Sequence, residues 1–372
     1  AKGGMAQVFI AQKDNAPEIC VLKQLLGELE THATAGKRFY REAHVASYLQ
    51  HPRIARTIDA GFEDGAFCIA MEFIAGRDVE SLMHLLMRQG RMLPYELSLA
   101  VALGVLEGLE YAHEALDPTG APLDLVHRDL SPRNVMLSFD GDVKIIDFGL
   151  ARGKVDDFKT APGMILGTLR YVSPEQAVAD PIDRRSDLYS IAVVLYEMLT
   201  GRPLVRDGTA LDVLTDVVQR VPDAICARNP HLPRSLDPVL ARALAKDPGE
   251  RYPTAREFRL ALEAAAGGLA RAPRSAIGEF VTSHFPEDRT RALEQIELGR
   301  RRYAEQVGRG ARALGQATLA SESGPDDLGS RTRTGFVDTA ALGGDDLVSA
   351  TRTGWIAPGG LAHSEEAAGT RT

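Results

Sequence analysis

The sequence predicts an α+β protein with a small antiparallel β lobe that contains one helix, a larger and mainly helical lobe, and a disordered C-terminal tail. Short apolar segments rich in β-branched residues dominate the first 74 residues, and long helix-periodic segments follow from about residue 78. A change of composition after residue 268 marks the start of a different C-terminal part. With 372 residues, 44% of them hydrophobic, the chain is long enough for about two domains and a sizeable core.

Residues 1–74 are predicted to form the small lobe. The segment from Gly36 to Gln50 has the apolar spacing of a helix and ends before Pro52, because proline disfavours helical backbone at the residue before it. Residues 63–65, Glu-Asp-Gly, are typical of a hairpin turn between the strands that flank them. Four segments have the pattern of strands: Gln7–Gln12, Ile19–Leu25, Ile54–Phe62 and Ala66–Ile74.

Residues 75–268 are predicted to form the larger lobe. Short strand-like pieces lie within residues 125–147, and helical periodicity dominates the rest of this region. The five segments with the clearest helical spacing are Leu97–His113, Asp183–Leu199, Leu211–Val218, Leu236–Leu244 and Ala255–Ala266.

The C-terminal part divides into a helical extension, residues 269–315, and a low-complexity tail, residues 316–372. In the extension, residues 279–313 are expected to form one charged helix. In the tail, only ten of 57 residues are large and apolar while thirteen are Ser or Thr, so burial cannot offset the entropy of ordering and we expect disorder. A Thr-Arg-Thr-Gly motif followed by an aromatic residue begins at Thr332 and again at Thr351.

Composition argues against several classes of protein. The formal net charge of -8 disfavours nucleic acid as a partner, because phosphate binding needs a basic surface. The apolar stretches are far shorter than the roughly 20 residues of a membrane helix, so no membrane span is expected. Three cysteines without paired spacing argue against a disulfide framework or a zinc cluster and indicate a reducing compartment, the cytoplasm. Residue 1 is alanine rather than methionine, and we expect the chain to be a fragment.

Two short motifs carry the chemistry. Residues 127–134 are His-Arg-Asp-Leu-Ser-Pro-Arg-Asn, and residues 147–149 are Asp-Phe-Gly. They place two carboxylates, Asp129 and Asp147, and the Asn134 amide on loops between short strands. Hard oxygen ligands suit Mg²⁺, and a further carboxylate can accept a proton from a hydroxyl group. The two motifs together therefore predict a metal–phosphate site.

In this order and spacing, the two motifs resemble the catalytic and metal-binding loops of the eukaryotic-like, or Hanks-type, protein kinases. The resemblance covers residues 1–268, is closest to the bacterial serine/threonine kinases, and implies the bilobal protein kinase fold. Further motifs of the family follow in the expected order: Gly-Gly-Met-Ala at 3–6, Val-Leu-Lys at 21–23, Arg-Glu-Ala at 41–43, Ser-Pro-Glu at 173–175, Asp187, and Arg251 as the arginine that pairs with Glu175.

The resemblance implies a role for each motif residue. Asp129 would orient the substrate hydroxyl and take its proton, and Asn134 and Asp147 would bind Mg²⁺. Lys23 would hold the α- and β-phosphates of ATP and form an ion pair with Glu42.

The same resemblance implies how ATP itself is bound. Gly3 and Gly4 would bring backbone N–H groups over the phosphates, in a glycine-rich loop that also includes Val8. Adenine would bind the hinge, residues Glu72-Phe73-Ile74, with Met71 limiting the pocket behind it. The family's loop begins with a glycine two residues before Gly3, and this chain has Ala1 at that position. We therefore expect the chain to be truncated within the loop.

The motifs give conflicting indications of which hydroxyl group the kinase would phosphorylate. Kinases of the serine/threonine branch usually have Lys two residues after the catalytic Asp, where this chain has Ser131. Arg133 occupies the place of an arginine typical of the tyrosine branch, where it would contact the γ-phosphate. Gly167-Thr168 resembles the serine/threonine branch, in which the threonine hydroxyl bonds the catalytic Asp. We therefore predict Ser/Thr specificity, with a tyrosine or dual-specificity kinase as the alternative.

Regulation and partners follow from the same resemblance. Arg128 is expected to pair with a phosphate on the activation segment, and Thr160 is the preferred phosphorylation site because Thr168 has the docking role. The expected partners are protein substrates, a second copy of the chain for trans-autophosphorylation, and phosphothreonine-reading proteins that bind the tail. A pseudokinase that acts as a scaffold and a small-molecule kinase are the alternatives from other classes.

Overall fold

The structure is a computed structural model that describes residues 6–13, 16–25, 45–63, 66–148, 165–321 and 355–356. The chain divides into two units. The first comprises residues 1–9 and 21–293, and the second comprises residues 10–20 and 294–372. The candidate site lies in the first unit.

The small lobe is built on a β-sheet whose strands match the predicted segments. They are β1 (Ala6–Lys13), β2 (Ile19–Leu25), β3 (Thr57–Glu63) and β4 (Ala66–Glu72). The four strands neighbour one another in the order β3-β4-β2-β1. The predicted hairpin is confirmed, because β3 and β4 pair antiparallel with Thr57 opposite Met71.

The ends of this hairpin differ from the prediction. Ile54 does not belong to β3, since it forms a separate parallel bridge with Ile145 of the large lobe. β4 ends at Glu72 rather than at Ile74, one residue beyond Met71, which is opposite the first residue of β3. Of the predicted helix between β2 and β3, only residues 45–50 are described.

A second, smaller sheet lies in the large lobe. It consists of β5 (Gly76–Asp78), β6 (Val135–Ser138) and β7 (Val143–Ile145), in the order β5-β6-β7 with antiparallel pairing. Its three strands account for the strand-like pieces expected within residues 125–147 and for the segment that follows the hinge.

Helices make up most of the large lobe, and all five predicted helical segments are confirmed to within two residues at each end. The helices are α1 (Val79–Arg88), α2 (Tyr95–His113), α3 (Ile165–Leu169), α4 (Pro174–Ala177), α5 (Arg184–Thr200), α6 (Ala210–Gln219), α7 (Ile225–Arg228), α8 (Leu236–Ala243) and α9 (Ala255–Ala266). Short 3-10 turns cover Pro132–Asn134, Pro248–Glu250 and Gly267–Arg271.

Helix α5 is the centre of the core. Every residue from Ser186 to Thr200 is buried, so this helix is surrounded on all sides and shows no amphipathic pattern. The Asp183 side chain caps its first turn by accepting from the Arg185 N–H, and Gly201 ends it with φ of 64°. Because α5 is surrounded by the core, its position is fixed, and a side chain in its first turn can hold a neighbouring loop in place.

The helical extension differs from the prediction. In place of one helix over residues 279–313 there are two, α10 (Arg274–His284) and α11 (Pro286–Ser321). The break falls at Phe285 because Pro286 lacks an N–H and is tolerated only in the first turn of a helix. Ile277 and Val281 of α10 are buried in the main core of the first unit. Helix α11 continues past residue 315, the predicted end of the helical extension, into the first residues of the predicted tail.

In the second unit, the hairpin between β1 and β2 contacts α11. The Gln12 Nε2 donates to the Gly299 carbonyl at 2.8 Å and to the Ala16 carbonyl at 2.9 Å. A short strand, β8 (Trp355–Ile356), pairs antiparallel with Lys13 and Gln12. The rest of the tail, including the residues of both motifs other than Trp355 and Ile356, lies outside the described residues. Among the helices that are described, none is long and apolar enough to cross a membrane.

Candidate active site

The first turn of α5 holds the loop of residues 127–134 in place. The Asp187 carboxylate accepts from the backbone N–H groups of His127, at 2.8 Å, and Arg128, at 2.9 Å. His113 Nε2 lies 2.8 Å from the same carboxylate. Burial works to raise the pKa of Asp187, but the hydrogen bond and charge of His113 and the His127 N–H outweigh it and lower the pKa. Asp187 therefore stays ionised where it can hold the loop.

Asp129 and Asn134 lie at the two ends of the loop's last turn and contact each other. The Asn134 Nδ2 donates to the Asp129 carbonyl at 2.7 Å and lies 3.4 Å from its carboxylate. The 3-10 turn Pro132–Asn134 brings them together, with the Asn134 N–H donating to the Ser131 carbonyl. Both Asp129 and Asn134 were predicted as site residues, and the turn joins them directly.

Asp147 follows β7 and faces the small lobe. Its carboxylate oxygen Oδ1 lies 2.9 Å from the Nζ of Lys23 on β2. Its φ of 59° is in the left-handed region, which a residue with a Cβ rarely adopts and which costs roughly 1–3 kcal/mol. The next residue, Phe148, is buried against the His127 ring with centroids 4.7 Å apart. Lys23 was predicted to pair with Glu42, which lies outside the described residues.

The two predicted metal ligands, Asn134 and Asp147, are brought near each other by a backbone hydrogen bond. The Ile146 N–H, next to Asp147, donates to the Asn134 carbonyl at 3.0 Å. The Asn134 Nδ2 is occupied by Asp129, which leaves the amide oxygen as the atom for a cation. An Asp carboxylate and an Asn amide oxygen are the hard ligands that Mg²⁺ prefers, so the donor set fits this metal.

The hinge region lies between the two sheets. Met71 is 9% exposed and lines a cavity of about 10 Å³ together with Asp147 and Phe148. Glu72 is the last residue of β4, and Ile74 follows it outside the sheet, partly buried. Met71 therefore lies near Asp147 and Phe148, while its role in limiting the adenine pocket behind the hinge stays a prediction.

Other predicted residues are only partly covered by the structure. Val8 is a partly buried residue of β1. Gly3, Gly4, Glu42 and Thr160 lie outside the described residues.

Comparison with known proteins agrees with this geometry. Residues 1–259 match the family model described as the protein kinase domain. The chain belongs to the protein kinase family. This kinase is 35% identical over 345 residues to the tyrosine-protein kinase MasK of Myxococcus xanthus, covering 91% of this chain and 53% of MasK. It is 35% identical over 296 residues to a probable serine/threonine-protein kinase of Streptomyces coelicolor, covering 77% of this chain and 42% of that protein.

A solved structure is similar as well. The crystal structure of the Mycobacterium tuberculosis PknI kinase domain, a C20A mutant, is 31% identical, with a TM-score of 0.55, over 72% of this chain and 93% of that one. The predicted resemblance to bacterial Hanks-type kinases and the predicted fold are confirmed. The chain spans about half the length of the curated relatives described above.

The catalytic loop of this kinase forms an ion pair that the motifs do not predict. The Arg133 Nε lies 2.6 Å from the carboxylate of Glu80, in the first turn of α1. A Cβ added at Gly167 would lie 3.6 Å from the Arg133 guanidinium, so the segment that contains Thr168 passes beside the catalytic loop. The Thr168 carbonyl accepts from the Tyr171 N–H, while the predicted bond from its hydroxyl to Asp129 stays a prediction.

Helix α4 is bonded both to Arg251 of the large lobe and to the catalytic loop. Glu175 accepts from both terminal nitrogens of Arg251, at 2.8 Å each, which is the pair expected from the family. Arg128 is exposed, with φ of 67°, and its carbonyl accepts from the Gln176 Nε2 at 2.8 Å. Arg128 is thus exposed and its backbone contacts α4, while its phosphate-binding role stays a prediction.

Some site contacts have no local sequence signal. His113 and Glu80 meet their partners only through the tertiary fold, across 74 and 53 positions of the chain. Lys144 of β7 forms an ion pair with Glu72 at 2.8 Å, and here the sequence does offer a signal, since lysine is rare in this chain.

Proposed function

We propose that this chain is the catalytic domain of an ATP-dependent protein kinase that phosphorylates serine and threonine hydroxyls of proteins, including its own. The observation that carries the proposal is the convergence of two loops and one strand. Asp129 and Asn134 contact each other in the catalytic loop, and Lys23 lies 2.9 Å from Asp147. A proton acceptor, two oxygen ligands and a cation for phosphates are the groups that phosphoryl transfer requires.

The reaction assigns a separate task to each of these residues. Asp129 accepts the proton of the substrate hydroxyl as the hydroxyl oxygen bonds to the γ-phosphorus of ATP. The bond from that phosphorus to the β–γ bridging oxygen breaks, and ADP leaves with the electron pair. Lys23 binds the phosphates of ATP, and its ion pair with Asp147 shows how close the two groups lie.

Asn134 and Asp147 would hold the Mg²⁺ of this reaction. When bound, the metal neutralises charge on the phosphates and orients the transferring group. The chain's own contribution is to hold the two ligands in place: Asn134 through its bond to the Asp129 carbonyl, and Asp147 through the strand β7.

The acceptor is proposed to be Ser or Thr. Support comes from Gly167-Thr168 beside the catalytic loop and from relatives named serine/threonine-protein kinases. Arg133 and the name of the Myxococcus relative favour tyrosine or dual specificity as the second candidate. Phosphoamino-acid analysis of the autophosphorylated protein separates them: we expect phosphoserine and phosphothreonine, and dominant phosphotyrosine would overturn the proposal.

The test of the proposed activity is the transfer of labelled phosphate from ATP to a basic protein or to the chain itself. Asp129→Asn and Asp147→Asn should each reduce the rate at least about a hundredfold, since each removes a charge needed only at the reacting atoms. Asp180→Asn, an exposed carboxylate of the same lobe, is the matched control and should retain wild-type activity. Unchanged transfer by Asp147→Asn would contradict the kinase assignment.

We also propose a cytoplasmic location and phosphorylation between two copies of the chain. The location is supported by the three cysteines, all in the described part of the chain, which are free thiols. Phosphorylation of Thr160, and of Thr332, Thr334, Thr351 and Thr353 in the tail, remains part of this proposal. Mass spectrometry after incubation with ATP tests it, and unmodified tail threonines would exclude a phosphothreonine-reading partner there.

A further inference from the structure

We propose that Lys144 is a positioning residue for ATP, because its ion pair with Glu72 fixes the hinge relative to the metal-binding Asp147. The inference deepens the proposed function and rests on it, since it concerns how the same site orients its nucleotide. Lys144 belongs to none of the motifs that identify the family in the sequence.

Lysine is scarce in this chain, with eight lysines against 35 arginines. Among the lysines that the structure describes, two lie at opposite ends of the nucleotide site. Lys23 pairs with Asp147, and Lys144 pairs with Glu72. Two of the few lysines in this arginine-rich chain are thus paired with carboxylates of the proposed nucleotide site.

The Lys144–Glu72 contact is two-pronged and partly shielded from water. The Lys144 Nζ lies 2.8 Å from one oxygen of the Glu72 carboxylate and 2.9 Å from the other. The side chains are only 14% and 29% exposed, less than in most of the ion pairs on the surface of this molecule. Reduced exposure strengthens the attraction and limits the alternative positions of both side chains.

Glu72 has further contacts that make it a fixed point of the hinge. Its N–H donates to the Arg56 carbonyl at 2.9 Å, and its carboxylate accepts from the Arg56 N–H at 3.2 Å. The loop before Arg56 is bonded to β7 as well, since the Ile145 N–H donates to the Arg53 carbonyl at 2.7 Å. The end of β4 therefore contacts β7 both through the ion pair and through this loop.

At the other end, β7 leads directly to the metal ligands. Lys144 precedes Asp147 by three residues and is opposite Met136 in the pairing of β6 with β7. The Ile146 N–H donates to the Asn134 carbonyl. A continuous set of bonds thus runs from the hinge, through Lys144 and β7, to Asp147 and Asn134.

This arrangement predicts which step depends on Lys144. Adenine binds at the hinge and the phosphates at Asp147, so the distance between these two places must suit the length of one ATP molecule. Lys144 is not one of the groups proposed to accept the proton or to hold the metal. Loss of the ion pair should therefore weaken ATP binding and leave the rate at saturating ATP, and the KM for the protein substrate, nearly unchanged.

The experiment compares Lys144→Met, Lys144→Arg and Glu72→Gln with the wild type. We expect Lys144→Met and Glu72→Gln each to raise the KM and the Kd for ATP by about tenfold, with kcat within about threefold. Lys144→Arg should restore most of the affinity, and the double variant Lys144→Met/Glu72→Gln should be no worse than either single one. Arg301→Met, which removes an exposed ion pair with Glu297, is the control and should match the wild type.

The outcomes separate the inference from the proposed function. Equal ATP affinity in wild type and Lys144→Met, measured by calorimetry, would overturn the inference alone. Equal reductions of kcat and of affinity in Lys144→Met and Lys144→Arg would also overturn it, because they would indicate a general structural defect. A wild-type chain that binds ATP but transfers no phosphate would overturn the proposed function alone. If Lys144→Met fails to fold, Glu72→Gln provides the same comparison.

Discussion

At the scale of single residues, Arg251 illustrates how a buried charge is tolerated in this molecule. Its side chain is fully buried, and each of its five N–H groups has an acceptor. Two N–H groups donate to Glu175, and the others donate to the carbonyls of Ala245, Arg185 and Lys246. Because no donor is left without an acceptor, the cost of removing the guanidinium from water is offset locally.

Because Arg251 and Glu175 are buried and bonded to each other, removal of either one should greatly lower the free energy of unfolding. Arg251→Ala leaves the Glu175 carboxylate buried with only the Ser186 hydroxyl among its side-chain donors, and should cost about 3–5 kcal/mol in the free energy of unfolding. Arg301→Ala breaks an ion pair whose side chains are 72% and 53% exposed, and should cost under about 1 kcal/mol. Urea denaturation of both variants provides the measurement, and similar losses would mean that Arg251 is not in a buried pair.

At the scale of elements, local patterns predict strands and helices well where one element buries one face. The periodicity of Ala255–Ala266 predicts α9 to the residue, and β2 also has its predicted ends. The motifs likewise predict Asp129, Asn134 and Asp147 as neighbours. Where an end depends on a distant partner, prediction is less accurate, as at Ile54, which leaves β3 to contact Ile145. The rarity of lysine draws attention to Lys144, but its partner Glu72 could not be predicted for the same reason, since 72 positions separate the two residues.

The close packing of α10 on the turn between β6 and β7 is another feature that no local pattern reveals. At Gly278 of α10, an added Cβ would lie 2.6 Å from the Phe139 carbonyl oxygen and 2.9 Å from the Gly141 nitrogen. Backbone atoms cannot move aside as a flexible side chain can, so only glycine permits this distance. The Arg274 guanidinium donates to Asp142 at 2.8 Å on the same turn.

Gly278→Ala should therefore destabilise the kinase even though alanine is the better helix former. Because the contacts are with backbone atoms, we expect overpacking to cost about 2–3 kcal/mol, which exceeds the roughly 1 kcal/mol by which alanine is favoured over glycine in a helix. Gly268→Ala is the matched control, because no atom lies within 4 Å of its added Cβ, and it should change stability by less than about 0.5 kcal/mol. Equal unfolding free energies for the two variants would contradict the contact between α10 and the turn.

At the scale of the whole molecule, buried carboxyl groups give stability two opposite dependences on pH. Burial works to raise the pKa of Glu175, but hydrogen bonds from Arg251 and Ser186 lower it below its usual value. The lowered pKa values of Glu175 and Asp187 stabilise the folded state above the unfolded values of 4.5 and 3.8, and this contribution is lost as the pH falls below them. Acid should therefore unfold the protein through these two groups.

Glu197 changes the pH dependence of stability in the opposite direction. It is a buried residue of α5 that accepts from the Tyr171 hydroxyl at 2.7 Å, and burial raises its pKa to about 7. Because its pKa in the unfolded chain is 4.5, the folded state binds the proton more tightly, and stability is lost as the pH rises from 4.5 through about 7. Together with the two acidic groups, this predicts maximal stability near about pH 5.

Glu197→Gln tests this dependence, since glutamine cannot ionise. Glu197 accepts from two donors, the Tyr171 hydroxyl and the Leu204 N–H, and glutamine has only one oxygen to accept from them. The loss of one hydrogen bond lowers stability by the same amount at every pH. Between pH 5 and 8 the wild type should lose on the order of 3 kcal/mol relative to the variant, as measured by urea denaturation at each pH. Parallel curves for the two proteins would show that Glu197 has an ordinary pKa. In that case the core around α5 would have to admit water to the carboxylate.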